Sequence, residues 1–254
     1  MPKKIALIFA GGTGSRMGNQ GVPKQFLILR GKPIIVHTIE YFQKNPNIDE
    51  VIVCCVEEGI GYLKTQIEKF HLTKVSTVIP GGTSGQDSIY RLLVEARTHN
   101  DADSIVLIHD GVRPFINQHV INKNIASVEE FGTSITCTNC YETIITSPDG
   151  IKVNSIPYRK ETYAAQAPQS FILGEILDAH EQMRKINPTY ENIVDSCTLY
   201  HVLGKPVHMI EGNKGNIKVT YPEDFYSIQA LFDYRDSQEI FGVNGNDEYF
   251  TSKN

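Results

Sequence analysis

The run Lys4–Ala10 is continuously apolar after its first residue and passes directly into the glycine-rich segment Gly11–Gly18. A short apolar run without alternation is typical of a strand that is buried on both faces of a parallel sheet. The glycines that follow let backbone N–H groups approach a ligand without interference from Cβ atoms. This combination predicts a parallel α/β sheet whose first strand ends at a ligand-binding loop.

The same alternation of strand and helix patterns continues to about residue 133. Further buried strands are predicted at Glu50–Val56, Lys74–Ile79 and Ser104–Ile108, and helices at Pro33–Phe42, Tyr62–Phe70 and Ile89–Ala96. Repeated units of this kind predict a Rossmann-like, mostly parallel twisted sheet with helices on both faces. Ligands in such sheets bind beyond the carboxyl ends of the strands. Three clusters fall at those ends: Gly11–Gly18, Gly81–Ser88 and His109–Pro114.

The regular alternation ends after Thr133. Short β-like runs are predicted at Ser134–Thr138, Glu142–Ser147 and Ile151–Ile156, with a Pro148–Gly150 turn between the last two. We interpret residues 140–162 as a hairpin arm that projects from a single domain of residues 1–254. The later elements predicted are helices at Leu173–Ile186 and Asp195–Leu203, strands at Pro206–Glu211 and Asn216–Thr220, and a helix from Pro222. The polar residues 245–254 are expected to be a disordered tail.

Charge and composition exclude several classes of partner. With 24 basic and 29 acidic residues the net charge is −5, which argues against non-specific nucleic-acid binding. No apolar run reaches the length of a bilayer span, so no membrane partner is expected. The five cysteines are odd in number, and Cys137-Thr-Asn-Cys140 has no second pair, so we interpret them as structural thiols in a reducing cytoplasm.

The glycine segment carries two nearby cations, Arg16 and Lys24, which favours a phosphate chain over a purely structural turn. The segment is not a dinucleotide loop, because the third glycine is missing, and it is not a Walker A loop, because no Gly-Lys-Ser/Thr follows. A nicotinamide-dependent oxidoreductase is therefore disfavoured. A non-catalytic nucleotide-binding module would tolerate the loss of Lys24 or Lys218, and both are present.

Five motifs in order resemble one family. They are Ala10–Gly18 with Pro23–Phe26, Gly81-Gly82 with Asp87-Ser88, His109–Pro114, Ala167–Phe171, and Asn216–Thr220 with Pro222–Asp224. Together they are similar to the cytidylyltransferases that act on methylerythritol phosphate and ribitol 5-phosphate. The resemblance covers roughly residues 3–232 and implies transfer of CMP from CTP to a small polyol phosphate, with Mg²⁺ as cofactor.

The resemblance also implies roles for particular residues. The expected catalytic cations are Arg16, Lys24 and Lys218. Residues expected to bind the nucleotide are Ala10, Gly11, Gly12, Thr13, Gly14, Gly81, Gly82, Ser88 and Asp110, with Asp110 also beside the metal. Residues expected to bind the acceptor are Arg113, Thr143, Arg159 and Asp195, of which Thr143 and Arg159 would reach into the partner subunit of a homodimer.

Several of these residues also fit simpler roles. Lys218 could be a solvated lysine at a strand end, Asp110 a cap of the next element, and Arg159 part of a charged surface. His109 is expected to be structural, because in-line phosphoryl transfer does not require an imidazole.

The differences from the family pattern gather on the acceptor side. The family usually has Asp, Thr, Thr and Arg where this chain has Glu142, Ala167, Val194 and Gly85. The two changes from Thr each remove a hydroxyl group. The run His109–Ile116 and the extension beyond Phe232 are more similar to the ribitol 5-phosphate branch, which implies a pentitol phosphate used for a wall or capsular polymer. The isoprenoid-pathway enzyme acting on 2-C-methyl-D-erythritol 4-phosphate is the alternative.

Overall fold

The computed structural model describes residues 2–12 and 22–240, with side chains up to residue 237. The described part contains a seven-stranded sheet. Its strands are β1 Lys4–Ala10, β4 Glu50–Cys55, β5 Val75–Pro80, β6 Ile105–Asp110, β7 Thr133–Asn139, β8 Tyr163–Ile172 and β9 Met209–Glu211. Their order across the sheet is β5-β4-β1-β6-β8-β7-β9. A separate two-stranded hairpin pairs β2 Ile28–Leu29 with β3 Lys32–Pro33.

Strands β1, β4, β5 and β6 are mutually parallel, whereas β8 runs antiparallel to both β6 and β7. The helices are α1 Ile34–Lys44, α2 Ile60–Lys69, α3 Gly85–His99, α4 Gln118–Phe131, α5 Leu173–Ile186, α6 Ser196–Val202 and α7 Pro222–Ile240. The predicted mostly parallel α/β sheet is therefore confirmed, and the carboxyl ends of β1, β5 and β6 lie at the same edge of it.

Each face of the sheet has its own apolar core because successive side chains of a strand point to opposite faces. Along β1, Ile5 and Leu7 join the core under α3, α5 and α6, whereas Ala6 and Ile8 join the core under α1, α2 and α4. A third cluster, which includes Phe232, packs α7 against the β2–β3 hairpin. None of the helices within residues 22–240 combines the length and hydropathy needed to cross a membrane.

The arm differs from its sequence prediction. Glu142–Ser147 and Ile151–Ile156 do not form strands, and a single bridge between Thr146 and Ser155 closes the hairpin. Hydrogen bonds nevertheless stabilise the turn, since the Asp149 Oδ1 accepts from the backbone N–H groups of Ile151 and Lys152, each at 2.9 Å. The apolar side chains of the arm are exposed, because the described part of this chain provides no sheet against which they could pack.

Two other segments also differ. The segment Asn216–Thr220 is not a strand, and the N–H of Val219 instead donates to the carbonyl oxygen of Val112 at 2.9 Å. This segment therefore crosses the carboxyl edge of the sheet instead of extending it. The strand predicted at Pro206–Glu211 is shorter than expected and spans only Met209–Glu211.

All five cysteines are free thiols, and Cys137 lies buried in β7.

Candidate active site

Two glycines bring the loop after β1 into contact with the loop after β5. A Cβ atom added to Gly11 would lie 2.9 Å from the Ser88 Oγ and 3.2 Å from the Gly81 Cα. A Cβ added to Gly81 would lie 2.8 Å from the Gly11 Cα. The two backbones can approach this closely only without side chains, so the glycines at these positions shape the site.

Hydrogen bonds from the first turns of α3 hold the loop after β5. The Ser88 Oγ accepts a 2.9 Å hydrogen bond from the N–H of Gly82 and donates one of 2.9 Å to the carbonyl of Ser84. The Asp87 carboxylate accepts from the N–H of Thr83 at 3.0 Å, and Ser84 caps the helix. These contacts fix the backbone around Gly82 before any ligand arrives.

The segment Lys24–Phe26 connects β1 to the chain near residue 219. Gln25 is buried, and its Nε2 donates to the carbonyl oxygen of Ala10 at 2.8 Å. Lys24 Nζ donates to the carbonyl oxygen of Val219 at 3.0 Å. Lys24 is therefore held at the carboxyl edge of the sheet, close to the backbone that carries Lys218.

Asp110, the last residue of β6, lies between two cations. Its Oδ2 accepts from Arg113 Nε at 2.8 Å, and its Oδ1 lies 2.5 Å from Lys218 Nζ. Burial raises the pKa of Asp110, but the charges of Arg113 and Lys218 outweigh burial and hold that pKa well below its usual range. The Asp110 side chain is 7% exposed and that of Lys218 is 40% exposed, so the lysine is the partner that a ligand can reach.

Arg113 also fixes the backbone that carries Lys218. Its Nη1 donates to the carbonyl oxygen of Asn216 at 2.8 Å. His109 is fully buried, packs against Phe42, and contacts the Arg113 carbonyl oxygen through Nε2. Burial lowers the pKa of His109 to about 4, so the ring is neutral, in agreement with a structural role.

Two adjoining pockets open at this edge of the sheet. The first, which we name the glycine pocket, has a volume of about 430 Å³ and is lined by residues that include Gly11, Gly12, Lys24, Gly82 and Ser88. The second, which we name the amide pocket, has a volume of about 290 Å³ and is lined by residues that include Gln86, Arg113, Gln166, Gln169, Asp195 and Ser196. Both pockets are lined by Phe9, Gly85, Asp110 and Lys218, so these four residues lie where the pockets meet.

The far wall of the amide pocket is built around Asp195. This residue caps α6 by accepting from the N–H of Thr198 at 2.7 Å, and it also accepts from Gln169 Nε2 at 2.9 Å. The side chain of Asn216 donates to the Ala167 carbonyl oxygen at 2.6 Å and so joins the Lys218 segment to β8. Val194 is 81% exposed at the rim of this pocket.

Thr143 and Arg159 lie apart from both pockets. Arg159 Nη2 donates to Thr143 Oγ1 at 2.8 Å across the base of the arm, and both residues are exposed. Within one chain the structure therefore brings them to each other but not to Asp110 or Lys218. A contribution from these two residues to acceptor binding would have to be made in a second copy of the chain.

The structure brings most of the other predicted residues together. Ala10, Gly11, Gly12, Lys24, Gly82, Ser88, Asp110 and Lys218 line the glycine pocket, and Arg113 and Asp195 line the amide pocket. Gly81 lies behind the glycine pocket, in contact with Gly11. Thr13, Gly14 and Arg16 lie outside the described residues, as do residues 245–254. Within residues 2–12 and 22–240 no group of three or more His, Cys, Asp or Glu side chains could hold a metal.

Sequence reasoning assigned no role to several further residues of the site. Gln25 and Asn216 act through hydrogen bonds to the carbonyl oxygens of Ala10 and Ala167. Both lie inside motifs that were recognised, so their motif position was an available signal. Gln86 and Ser196 line the amide pocket next to motif residues Asp87 and Asp195, but nothing in their spacing distinguishes them.

Comparisons with known proteins place this geometry in context. Residues 4–233 match the sequence profile of the IspD family, described as 2-C-methyl-D-erythritol 4-phosphate cytidylyltransferase. The chain is 44% identical over 239 residues to a ribitol-5-phosphate cytidylyltransferase of Streptococcus agalactiae serotype III, covering 94% of this chain and 99% of that one. A relative of the same name in Vibrio parahaemolyticus serotype O3:K6 is also 44% identical, over 238 residues, with the same two coverages of 94% and 99%.

A solved structure agrees with the fold. The 4-diphosphocytidyl-2C-methyl-D-erythritol synthase of Anaerococcus prevotii superimposes with a TM-score of 0.77 at 25% sequence identity. The match covers 91% of this chain and 96% of that one. The similarity therefore extends over most of the chain and is not confined to the glycine loop.

Proposed function

Since the chain belongs to the 2-C-methyl-D-erythritol 4-phosphate cytidylyltransferase (IspD) family, it is a cytidylyltransferase, and we propose that its acceptor is D-ribitol 5-phosphate. The products are then CDP-ribitol and pyrophosphate. The observation that carries the proposal is the pair of adjoining pockets that meet at Asp110 and Lys218. The choice of acceptor is supported by relatives named for ribitol 5-phosphate at 44% identity over 94% of the chain.

We assign CTP to the glycine pocket and the acceptor to the amide pocket. The glycine pocket combines close backbone approach with Lys24, which suits a triphosphate. The amide pocket combines Arg113 and Lys218 with several neutral polar side chains, which suits an anionic polyol. An acceptor phosphate bound near Lys218 would then lie beside the α-phosphorus of CTP.

The reaction requires charge stabilisation more than proton transfer. An oxygen of the acceptor phosphate attacks the α-phosphorus, a new P–O bond forms, and the bond to the pyrophosphate oxygen breaks. The attacking oxygen is already anionic, so no strong general base is needed. Lys24 is held by the Val219 carbonyl oxygen and Lys218 by the Asp110 carboxylate. The two lysines therefore provide fixed positive charge where the two anionic substrates approach each other. Arg16 is proposed to add a third cation on the strength of its motif.

Mg²⁺ is the cofactor that we propose for this site. The metal commonly binds through one or two carboxylates together with substrate phosphates, and Asp110 is a carboxylate that lines both pockets. Asp110 already has Arg113 and Lys218 as partners, so it could supply one ligand at most while the triphosphate supplies others. When bound, Mg²⁺ would neutralise part of the phosphate charge.

A homodimer is proposed from the arm. Residues 140–162 expose several large apolar side chains, among them Ile151, which is 85% exposed, and Tyr158, which is 62% exposed. A second copy would cover this surface and receive Arg159 and Thr143 at its own acceptor pocket. On this proposal residues 1–254 act as one cytoplasmic nucleotidyltransferase domain, and the arm completes the site of the partner.

Pyrophosphate release tests the proposal. CTP, ATP, GTP and UTP are each combined with ribitol 5-phosphate, 2-C-methyl-D-erythritol 4-phosphate, glycerol 3-phosphate and erythritol 4-phosphate. We expect release with CTP and ribitol 5-phosphate at the highest kcat/KM. Release with CTP and 2-C-methyl-D-erythritol 4-phosphate but not with ribitol 5-phosphate would reassign the acceptor, and no release with CTP and any acceptor would refute the proposal.

A further inference from the structure

The amide pocket contains polar atoms that lack a hydrogen-bond partner. The Oε1 atoms of Gln86 and Gln166 and the Oγ of Ser196 are buried, and none of them is hydrogen-bonded by any residue that the structure describes. All three residues line this one pocket, together with Arg113, Lys218 and Asp195. Gln86 is 4% exposed and Ser196 is 1% exposed, so water cannot easily satisfy them from outside.

Buried polar groups in folded proteins are nearly always hydrogen-bonded, and an exception calls for an explanation. Twelve buried side-chain atoms of the described residues lack a partner, and three of them belong to residues that line this one pocket, which points to a ligand there. Other polar side chains of the same pocket are fully used: Gln169 bonds Asp195 and the N–H of Cys197, and Asp195 caps α6. Some polar side chains of the pocket therefore hold its wall together, whereas others have atoms free to bind a ligand.

We propose that Gln86, Gln166 and Ser196 bind the hydroxyl groups of the acceptor polyol, a role that rests on the function proposed above. Carboxamide oxygens accept hydrogen bonds, and each hydroxyl of an alditol can donate one. The Ser196 hydroxyl both donates and accepts, so it can join a neighbouring pair of hydroxyls. The Gln166 Oε1 lies against Gly212, since a Cβ added to that glycine would lie 2.5 Å from it. Rotation about the terminal torsion of the glutamine would turn this oxygen toward a ligand in the pocket.

This assignment also explains the pocket's charge distribution. Lys218 lies where the two pockets meet, and Arg113 is paired with Asp110 at the same place. Both cations suit the phosphate end of the acceptor. Gln86, Gln166 and Ser196 are neutral and suit the hydroxylated end. The three residues are therefore specificity-determining: they distinguish a polyol chain from a phosphate monoester that lacks hydroxyls.

The test uses Gln86→Met and Ser196→Ala, which keep side-chain volume while removing the polar atoms. Steady-state kinetics of the full chain with ribitol 5-phosphate should show the acceptor KM raised about threefold to tenfold in each variant, with the KM for CTP unchanged. Analogues of ribitol 5-phosphate that each lack one hydroxyl group remove the same hydrogen bond from the side of the ligand. For the analogue lacking the hydroxyl that Gln86 binds, wild type and Gln86→Met should have equal kcat/KM.

Gln182→Met, a change of the same kind at an exposed position of α5, serves as the control and should match wild type. The inference is overturned if both pocket variants keep the wild-type acceptor KM, or if KM for CTP rises in parallel, which would mean a general structural effect. Those outcomes leave the proposed function standing. Wild type that releases no pyrophosphate with any alditol phosphate would overturn the proposed function and this inference together.

Discussion

The ammonium group of Lys24 donates a 3.0 Å hydrogen bond to the carbonyl oxygen of Val219, a residue 195 positions away in sequence. Val219 follows Lys218, whose own ammonium lies 2.5 Å from Asp110. Two lysines from opposite ends of the chain are thus fixed to one edge of the sheet. Preorganised cations of this kind stabilise developing charge without reorganisation during the reaction.

The first prediction concerns Lys218. Replacing it with alanine should lower kcat by roughly 10²–10³-fold, because a preorganised charge beside the reacting phosphates is removed. The measurement is pyrophosphate release at saturating CTP and acceptor. Lys185→Ala, at an exposed position of α5, is the control and should keep wild-type turnover. A Lys218→Ala protein with near-normal kcat would exclude the lysine from the reaction.

Lys24→Ala should also abolish most turnover while leaving the fold intact. The loss of its hydrogen bond to the Val219 carbonyl should cost about 1 kcal/mol of stability. Circular dichroism and thermal unfolding should therefore resemble wild type while pyrophosphate release is lost. Unchanged activity would remove Lys24 from its proposed role, and a collapsed fold would show that its role is structural.

A third prediction follows from the contact between Gly11 and Gly81. Gly11→Ala places a Cβ 2.9 Å from the Ser88 Oγ and 3.2 Å from the Gly81 Cα, and overpacking of this kind costs about 1–3 kcal/mol. We expect a lower Tm and a higher KM for CTP. Gly61→Ala in α2 is the matched control, since an added Cβ there meets nothing within 4 Å and alanine favours a helix. An equal Tm for the two variants would contradict the prediction.

The carboxyl-edge site was largely predictable from the sequence, because glycine and charged clusters follow apolar runs such as Lys4–Ala10. Helix α5 was predicted with its observed bounds, Leu173–Ile186, since its buried residues recur at helical spacing. Strand β8 was not predicted as a strand. Its residues Tyr163–Ile172 include Ala, Pro, Gln and Ser, whose strand preference is weak, and its position depends on pairing with β6 and β7.

The two strands predicted within the arm are wrong for the opposite reason. Glu142–Ser147 and Ile151–Ile156 are rich in β-branched residues, but only Thr146 and Ser155 pair, because no neighbouring strand of the described chain lies beside them. The unpartnered atoms of Gln86 and Ser196 also could not be predicted. Burial and pairing are decided by packing between elements, and a sequence pattern does not specify them.

Stability should depend on pH through the buried histidines. Burial lowers the pKa of His180 to about 3 and that of His109 to about 4, whereas the unfolded value is near 6.5. As pH falls below 6.5 the unfolded state binds protons that the folded state does not, so the free energy of unfolding decreases. The free energy of unfolding, measured in urea, should therefore fall less between pH 6.5 and 4 for His180→Leu than for wild type. Parallel declines in variant and wild type would contradict this.

Asp110 should act in the same direction as the histidines, but at lower pH. Its folded pKa lies below the ordinary value, so its ion pairs stabilise the fold throughout neutral pH and are lost only as pH falls toward that depressed pKa. Asp110→Asn should lower stability at pH 7 by about 2–3 kcal/mol, a value reduced because Lys218 is 40% exposed. The difference from wild type should persist at pH 5. A difference that vanishes between pH 7 and 5 would contradict the assignment.

The last prediction tests whether Arg159 acts in the partner's site. Arg159 bonds Thr143 at 2.8 Å and is remote from Lys218 of its own chain, so each active site would need Lys218 from one subunit and Arg159 from the other. Arg159→Ala and Lys218→Ala proteins should each be nearly inactive. When they are unfolded together and refolded, random pairing makes half of the dimers mixed, each with one intact site. Roughly one quarter of wild-type activity should return. Mixing the double variant with either single variant should restore nothing, and an absence of recovery in the first mixture would place Arg159 outside the partner's site.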